Sequence, residues 1–217
     1  MTEVKKIKKM WRVASCVWRE MQRPNKSYEC SFILNECFFA REFDLSRHPP
    51  PATVLRGLMP KYWLMKSEPD CFSLDDLQQM PNMTDHWDGV RNYQARNLMR
   101  DTIKVGDGVL FYHSNCKEPS IVGLAKVVRE GYPDHTALDP REKHFDPKST
   151  DEKPIWSMVD VQYLCHLPHT LSRDALRQHP ILSGMGVLRK GNRLSVQPVS
   201  AEEWQTVLSI NGVDDPL

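Results

Sequence analysis

From residue 60 onward the apolar residues come in short runs, and those runs are separated by equally short helical patterns. That interleaving constrains the fold more than any other feature. A span of the bilayer would need roughly 18 or more consecutive apolar residues, and no stretch approaches that. Tyr62 to Lys66 is a predicted strand that ends in Ser67-Glu68-Pro69. Ser73 is placed to cap a helix through Leu77, with Asp75 and Asp76 in its first turn, where negative charge is favoured. A second helix is expected from Tyr93 to about Asp101, capped by Asn92. Strands follow at Val109 to His113, Ile121 to Arg129 and Trp156 to Leu164, the last with clear alternation. Ser172 caps a helix to about Gln178, Arg193 to Gln197 is a strand, and Ser200 with Glu203 forms a capping box for a last helix through Leu208. Tyr132 to Pro154, rich in Pro, Asp, Lys and His, is expected to be a long excursion over the surface. Short strands interleaved with short helices make an α+β domain. A strongly curved sheet or small barrel with flanking short helices is the form expected.

The first 59 residues differ from the rest. They show no clear strand alternation, contain half of the six cysteines and end at His48-Pro49-Pro50-Pro51, an extended linker. The expectation is that the native product begins at Met59, residues 1–58 being upstream sequence or a poorly ordered extension, and that residues 60–217 form the functional domain. Charge divides at the same place. Residues 1–59 hold 11 Lys and Arg against 6 Asp and Glu, whereas residues 60–217 hold 18 against 22. An acidic body does not coat a polyanion, so any nucleic-acid role must come from a local site. Irregular cysteine spacing without a Cys-x-x-Cys pair suits reduced thiols in a cytoplasmic protein, or a nuclear one in a eukaryote.

Residues 87–97, Trp-Asp-Gly-Val-Arg-Asn-Tyr-Gln-Ala-Arg-Asn, carry the densest functional chemistry. Two rings, a carboxylate, an arginine and a helix start stand within a few residues of one another. Flat rings, fixed polar groups and a cationic helix end suit an unstacked nucleobase and its phosphate. The same run can also be read as core, turn and solvated charge. A catalytic reading would use His113 and Cys116, three apart, as a base and a thiol, or draft Asp88 or Glu68 as a carboxylate beside a bound base. As metal ligands, His113 and Cys116 supply only half of a zinc site, and no second pair completes it. A protein-interaction module with its cleft unused is the remaining alternative.

Tyr62-Trp63-Leu64-Met65-Lys66-Ser67-Glu68-Pro69, the 87–97 run, Phe111-Tyr112-His113-Ser114-Asn115-Cys116, Trp156-Ser157-Met158-Val159-Asp160-Val161 and Leu194-Ser195-Val196-Gln197-Pro198 together resemble the EVE domain family, a branch of the PUA-like β-barrels. The resemblance spans residues 60–210 and does not reach the first 59. It implies a PUA-like fold and a reader of a modified base, such as a methylated or hydroxymethylated cytosine, flipped into a pocket. It implies no catalysis, cofactor, metal or membrane partner; a monomer is expected. On this reading Ser67, Glu68, Trp87, Asp88, Asn92, Tyr93, Tyr112, His113, Ser114 and Asn115 form the base pocket, and Lys66, Arg91 and Arg96 contact phosphates. Tyr112 and His113 lie on opposite faces of one strand, so one of the two is expected to face the ligand. Arg189, Lys190 and Arg193 border the phosphate path or sit on a solvated loop.

Overall fold

The computed structural model describes residues 60–217, so the expectations for residues 1–59, including a start at Met59, lie outside the described residues. Six strands form one sheet. They are β1 (Tyr62–Ser67), β2 (Thr84–Trp87), β3 (Gly108–His113), β4 (Ser120–Pro133), β5 (Ser157–Ser172) and β6 (Val196–Val199). Their spatial order is β2-β5-β4-β3-β1-β6; β1 and β3 run parallel and the other pairs are antiparallel. The hydrogen-bonded order ends at β2 and β6, so of the two expected forms the curved open sheet is the one adopted. Register shifts along β3–β4 and β4–β5 supply the bending, because each bulge adds local twist.

The helices are short, as the sequence suggests: α1 (Leu74–Gln79), α2 (Tyr93–Asn97), α3 (Arg173–Gln178) and α4 (Ala201–Asn211). The expected caps are in place. Ser73 and Asp76 form a capping box on α1, Ser200 and Glu203 form another on α4, and Ser172 accepts from the Ala175 amide. Each such cap is worth about 1 kcal/mol. After α2 the chain continues as a π-helical turn, Leu98–Thr102.

Alternation along the strands buries both faces of the sheet. Trp63, Met65, Val109, Phe111, Val127 and Val161 meet in one core with Leu74 and Leu77 of α1. Leu64, Leu110, Tyr112 and Leu124 point the other way, into a second core closed by Leu176 of α3 and Trp204 of α4. The Trp63 indole belongs to the first core, its Nε1 donating to Asp107 Oδ2 at 2.8 Å. Gly123 lets α1 approach β4: a Cβ there would stand 2.2 Å from Leu74 Cδ2.

Three features depart from the sequence reading. β2 was not expected: Thr84, Asp85 and His86 carry no apolar signal, and pairing with Gln162, Val161 and Asp160 of β5 makes them a strand. β6 begins at Val196 rather than Arg193, and it accommodates Pro198 because it is an edge strand. The chain between β4 and β5 is not merely a surface excursion. Asp134, Thr136, Ala137 and Ser149 are buried in it. It folds back beside the end of β2, where it builds part of the site.

Candidate functional site

The parallel pairing of β1 with β3 sets the end of β1 beside the end of β3. Ser67 lies opposite His113, and the Ser67 carbonyl accepts from the Ser114 amide at 2.7 Å. On the β6 side, the Lys66 amide donates to the Ser195 carbonyl at 2.8 Å. These strand ends face Trp87 at the end of β2 and the turn after it. Between them lies a cleft of about 620 Å³, lined by Lys66 to Glu68, Cys71, Phe72, Asp85 to Arg91, Lys143, His144 and Ser195. That volume lies within the range of small-ligand sites, ~300–1,000 Å³.

Trp87 forms an apolar wall of the cleft. It is 6% exposed and meets Phe111 edge to face, with centroids 5.3 Å apart. Gly89 then turns the chain with φ +69°, and a Cβ at that position would stand 2.6 Å from His144 Cδ2. Glycine is therefore required twice over, for its backbone and for the close approach of His144. The lining holds three cations, Lys66, Arg91 and Lys143, and three carboxylates, Glu68, Asp85 and Asp88. Asp85 pairs with His86 at 2.8 Å. Among the described residues, neither Glu68 nor Asp88 has a cation within salt-bridge distance. Their acceptors can therefore take an incoming donor. The Ser67 hydroxyl, by contrast, donates to the Phe72 carbonyl at 2.6 Å.

Arg91 is placed differently from the expectation of a phosphate contact. Its Nη1 pairs with the buried Asp134 carboxylate at 2.7 Å, its Nε donates to the His144 carbonyl at 2.8 Å, and Nη2 donates to the same carbonyl. Asp134 also accepts from the Thr136 amide and hydroxyl and from the Gly89 amide at 3.2 Å. Burial pushes the Asp134 carboxyl upward, but the hydrogen bonds from Thr136, Arg91 and Gly89 outweigh it and hold the group below the usual carboxylate range. This network fixes the turn 89–91 against the 134–144 segment. Arg91 thus shapes the cleft, and its guanidinium is committed to the protein.

The second half of the 87–97 run turns away from the cleft. Asn92 caps α2, accepting from the Gln94 and Ala95 amides, so its carbonyl oxygen is engaged. Tyr93 is 58% exposed and stacks on Trp156, with centroids 4.9 Å apart. Arg96 lies over Tyr93 and donates to the Ile155 carbonyl at 2.7 Å, while Arg91 lies over Trp156. The Trp156 Nε1 donates to Asp146 at 2.7 Å, a bond that keeps the Asp146 carboxyl low. The result is a pair of stacked rings flanked by a cation on each side, on the outer side of the turn. Asn92, Tyr93 and Arg96 lie in this stack or its helix and do not line the cleft.

β3 divides the remaining expectations. Tyr112 points into the second core at 2% exposure, and burial raises its phenol pKa. His113 faces the other way, and its Nε2 accepts from the Leu74 amide at 3.2 Å. Burial pushes its imidazole down, toward the neutral form that this bond requires. Neither side chain lines the cleft. Tyr112, Ser114 and Asn115 instead line a second, smaller cavity of about 310 Å³ with Lys66, Pro119, Arg173, Val187 and residues 189–192. Lys66 is common to both cavities.

The expected residues thus fall into three places. Lys66, Ser67, Glu68, Trp87, Asp88 and Arg91 gather at the cleft; Tyr112, Ser114 and Asn115 go to the smaller cavity; Asn92, Tyr93, His113 and Arg96 serve neighbouring structure. Cys71, Phe72, His86, Lys143, His144 and the supporting Asp134 were missed. The nearest signal for the first two was Ser67-Glu68-Pro69 just ahead of them. For Lys143, His144 and Asp134 no local pattern pointed to the cleft, since their placement is purely tertiary. Among the described residues, no group of three or more His, Cys, Asp and Glu side chains is arranged to hold a metal ion, and no helix is long and apolar enough to cross a membrane.

Comparison with known proteins gives a consistent outcome. The family model described as EVE domain matches residues 61–210. Thymocyte nuclear protein 1 of Rattus norvegicus is 46% identical over 165 residues, covering 69% of this chain and 73% of the relative. A structure of a hypothetical protein from Leishmania major superposes with a TM-score of 0.67 at 50% identity, covering 71% of this chain and 96% of that one. The human THYN1 protein in complex with 5-methylcytosine-containing DNA superposes with a TM-score of 0.66 at 43% identity, over 71% of this chain and 99% of that one.

Proposed function

Because the chain belongs to the EVE domain family, we propose that its 620 Å³ cleft takes a modified cytosine extruded from a nucleic-acid strand, and that the protein reads this base without chemical change to it. The observation that carries the reading is the pair of carboxylates, Glu68 and Asp88, that line the cleft beside Trp87 with no cation paired to them among the described residues. A carboxylate is the side chain suited to accept from the exocyclic amine of cytosine. The apolar wall at Trp87 supplies surface for a base that has left its stack, offsetting an unstacking cost of a few kcal/mol. The complex of human THYN1 with 5-methylcytosine-containing DNA supports cytosine methylation as the first modification to test, and DNA as the first strand. The name of the mammalian relatives favours a nuclear location for this chain over the cytoplasmic one first expected. Residues 60–217 are the module on this reading, acting as a single chain.

The test is a titration of short single- and double-stranded oligonucleotides, each with plain, methylated or hydroxymethylated cytosine, compared at one salt concentration. Tighter binding of a modified form is expected, and Asp88→Asn or Glu68→Gln should weaken binding of plain and modified cytosine alike by about 1–3 kcal/mol, because both carry the exocyclic amine. Equal affinity for plain and modified strands would favour a protein-interaction module. A change in oligonucleotide mass on incubation would point to an enzyme.

A further inference from the structure

Behind Lys66, on the far side from the cleft, the 310 Å³ cavity collects four cations: Lys66, Arg173, Arg189 and Lys190. No carboxylate among the described residues lines it. Among the described residues, none of the four has a carboxylate within salt-bridge distance, although the chain from residue 60 onward carries more acids than bases. Like charges gathered without counter-charge repel, and a fold does not assemble them for stability. Two further observations point to a missing anion. The Arg173 Nε is buried without a hydrogen-bond partner, which is rare for a buried donor. Lys66 is half-buried, and its ammonium is pushed down by burial and by the nearby Arg173. An anion between Lys66 and Arg173 would relieve that repulsion and could give the buried donor its acceptor. Tyr112, Ser114 and Asn115 line the same cavity.

We propose that this cavity is a phosphate site. Resting on the base-reading function above, the phosphate is one carried by the same strand whose base enters the cleft, with Lys66 as the shared wall. The division of labour follows from chemistry: phosphate contacts hold the strand in register, and contacts to the base edge select it. Of the cations expected to do this from sequence, Arg91 and Arg96 are committed to protein groups and Lys66 remains; Arg173 joins it, with Arg189 and Lys190, which the sequence placed either beside the phosphate path or on a solvated loop.

The test uses the full chain and a 5-methylcytosine oligonucleotide over a range of salt. Arg189 and Lys190 are exposed, so the double variant Arg189→Gln/Lys190→Gln is expected to fold as the parent does. Its affinity should fall roughly tenfold or more at low salt. The slope of log K against log salt should become shallower by about 0.7 to 0.9 for each phosphate that the variant no longer neutralises, while the ratio of modified to plain affinity stays the same. Replacing strand phosphates one at a time by neutral methylphosphonate should reveal a position where the replacement weakens binding to the parent and leaves the variant unmoved. An unchanged slope in the variant, or no such position, overturns the strand assignment. Inorganic phosphate is the second probe, read by the side-chain Nε–H resonance of Arg173. A saturating shift supports phosphate chemistry at the site; if it comes without any change in the oligonucleotide slope, the natural ligand is a free phosphate compound and the strand proposal fails. No shift and no slope change overturn the site altogether. A shallower slope with no preference for modified cytosine in the parent would sink the base-reading function and leave the phosphate site standing.

Discussion

Lys66 separates two cavities whose charges have opposite fates. In the cleft three cations face three carboxylates, and the most committed of them, Arg91, is bound to Asp134 and to the His144 carbonyl. In the smaller cavity four cations stand together with no carboxylate in the lining. In the cleft the Arg91–Asp134 pair therefore holds a shape, and shape with a few free acceptors can select a ligand. The four cations of the smaller cavity pair with no carboxylate among the described residues, and they can contribute affinity without selection. The lesson is that an arginine is not a phosphate contact by virtue of its charge or its neighbours in sequence. Its partners decide, and they are set by the fold.

The strongest way to break this contrast is to remove Asp134. Its side chain is fully buried and that of Arg91 is 22% exposed, so Asp134→Ala strands a guanidinium in a mostly dry place. Removing one member of such a pair is expected to cost about 3 kcal/mol, the lower end of the range for buried pairs because Arg91 keeps some solvent. Urea denaturation measures this directly. The Arg189→Gln/Lys190→Gln variant should stay within about 0.5 kcal/mol of the parent in the same assay, since those residues are exposed and form no ion pair among the described residues. If the two variants were equally stable, the distinction between structural and available charge would fail. Acid titration adds the sign. The folded Asp134 carboxyl lies below its ordinary value of 3.8, so its contribution is complete above that pH and disappears as pH falls through the depressed folded value. Asp134→Asn should flatten that part of the stability curve. The folded His113 imidazole lies below its ordinary 6.5, so its contribution is also present above that value and lost as pH falls through the lower folded one, giving a separate loss at milder acidity.

A smaller effect probes the shape of the cleft rather than its charge. Gly89→Ala imposes a side chain on a backbone with φ +69° and drives its Cβ to within 2.6 Å of His144 Cδ2. The backbone term alone is about 1–2 kcal/mol. His144 must also move, and with it the carbonyl that holds Arg91. Stability should fall by at least that amount, and selective binding should fall with it while the salt slope of oligonucleotide binding stays unchanged. A variant with a shallower slope and intact selectivity would reverse the roles assigned to the two cavities.

Local chemistry made much of this fold legible. The caps at Ser73, Asn92, Ser172 and Ser200 are all used as their side chains suggest, and alternation located most strands, because these signals depend on residues close in sequence. β2 was hidden because Thr84-Asp85-His86 acquires strand geometry only from β5. Asp134 was hidden for the same reason: it looks like a turn residue, and its partner is Arg91, 43 positions away. The 87–97 run was legible as a site but not as a divided one. Gly89 redirects the chain, so Trp87 to Arg91 face the cleft and Asn92 to Arg96 continue along its outer side. No spacing rule reveals a positive φ whose purpose is to admit His144.

That division gives the smallest effect and the sharpest question about the rings. Tyr93 and Trp87 both flank the same turn, yet Trp87 is packed against Phe111 and lines the cleft, whereas Tyr93 is mostly exposed and stacked on Trp156. Tyr93→Ala should cost only about 0.5–1 kcal/mol of stability, the worth of one solvent-exposed ring contact and the Arg96 cation above it. Oligonucleotide affinity should move by less than about twofold, because a base held in the cleft does not touch this face; a stacking partner would cost about 1–3 kcal/mol on truncation. Trp87→Ala cannot serve as the matching experiment, since emptying that core position is expected to cost ~3–5 kcal/mol and confound binding with folding. Trp87→Phe keeps an aromatic wall and is the fair counterpart. A large affinity loss in Tyr93→Ala with stability nearly intact would move the base out of the cleft and onto the Tyr93–Trp156 stack, where Arg91 and Arg96 would regain the role that their sequence suggested.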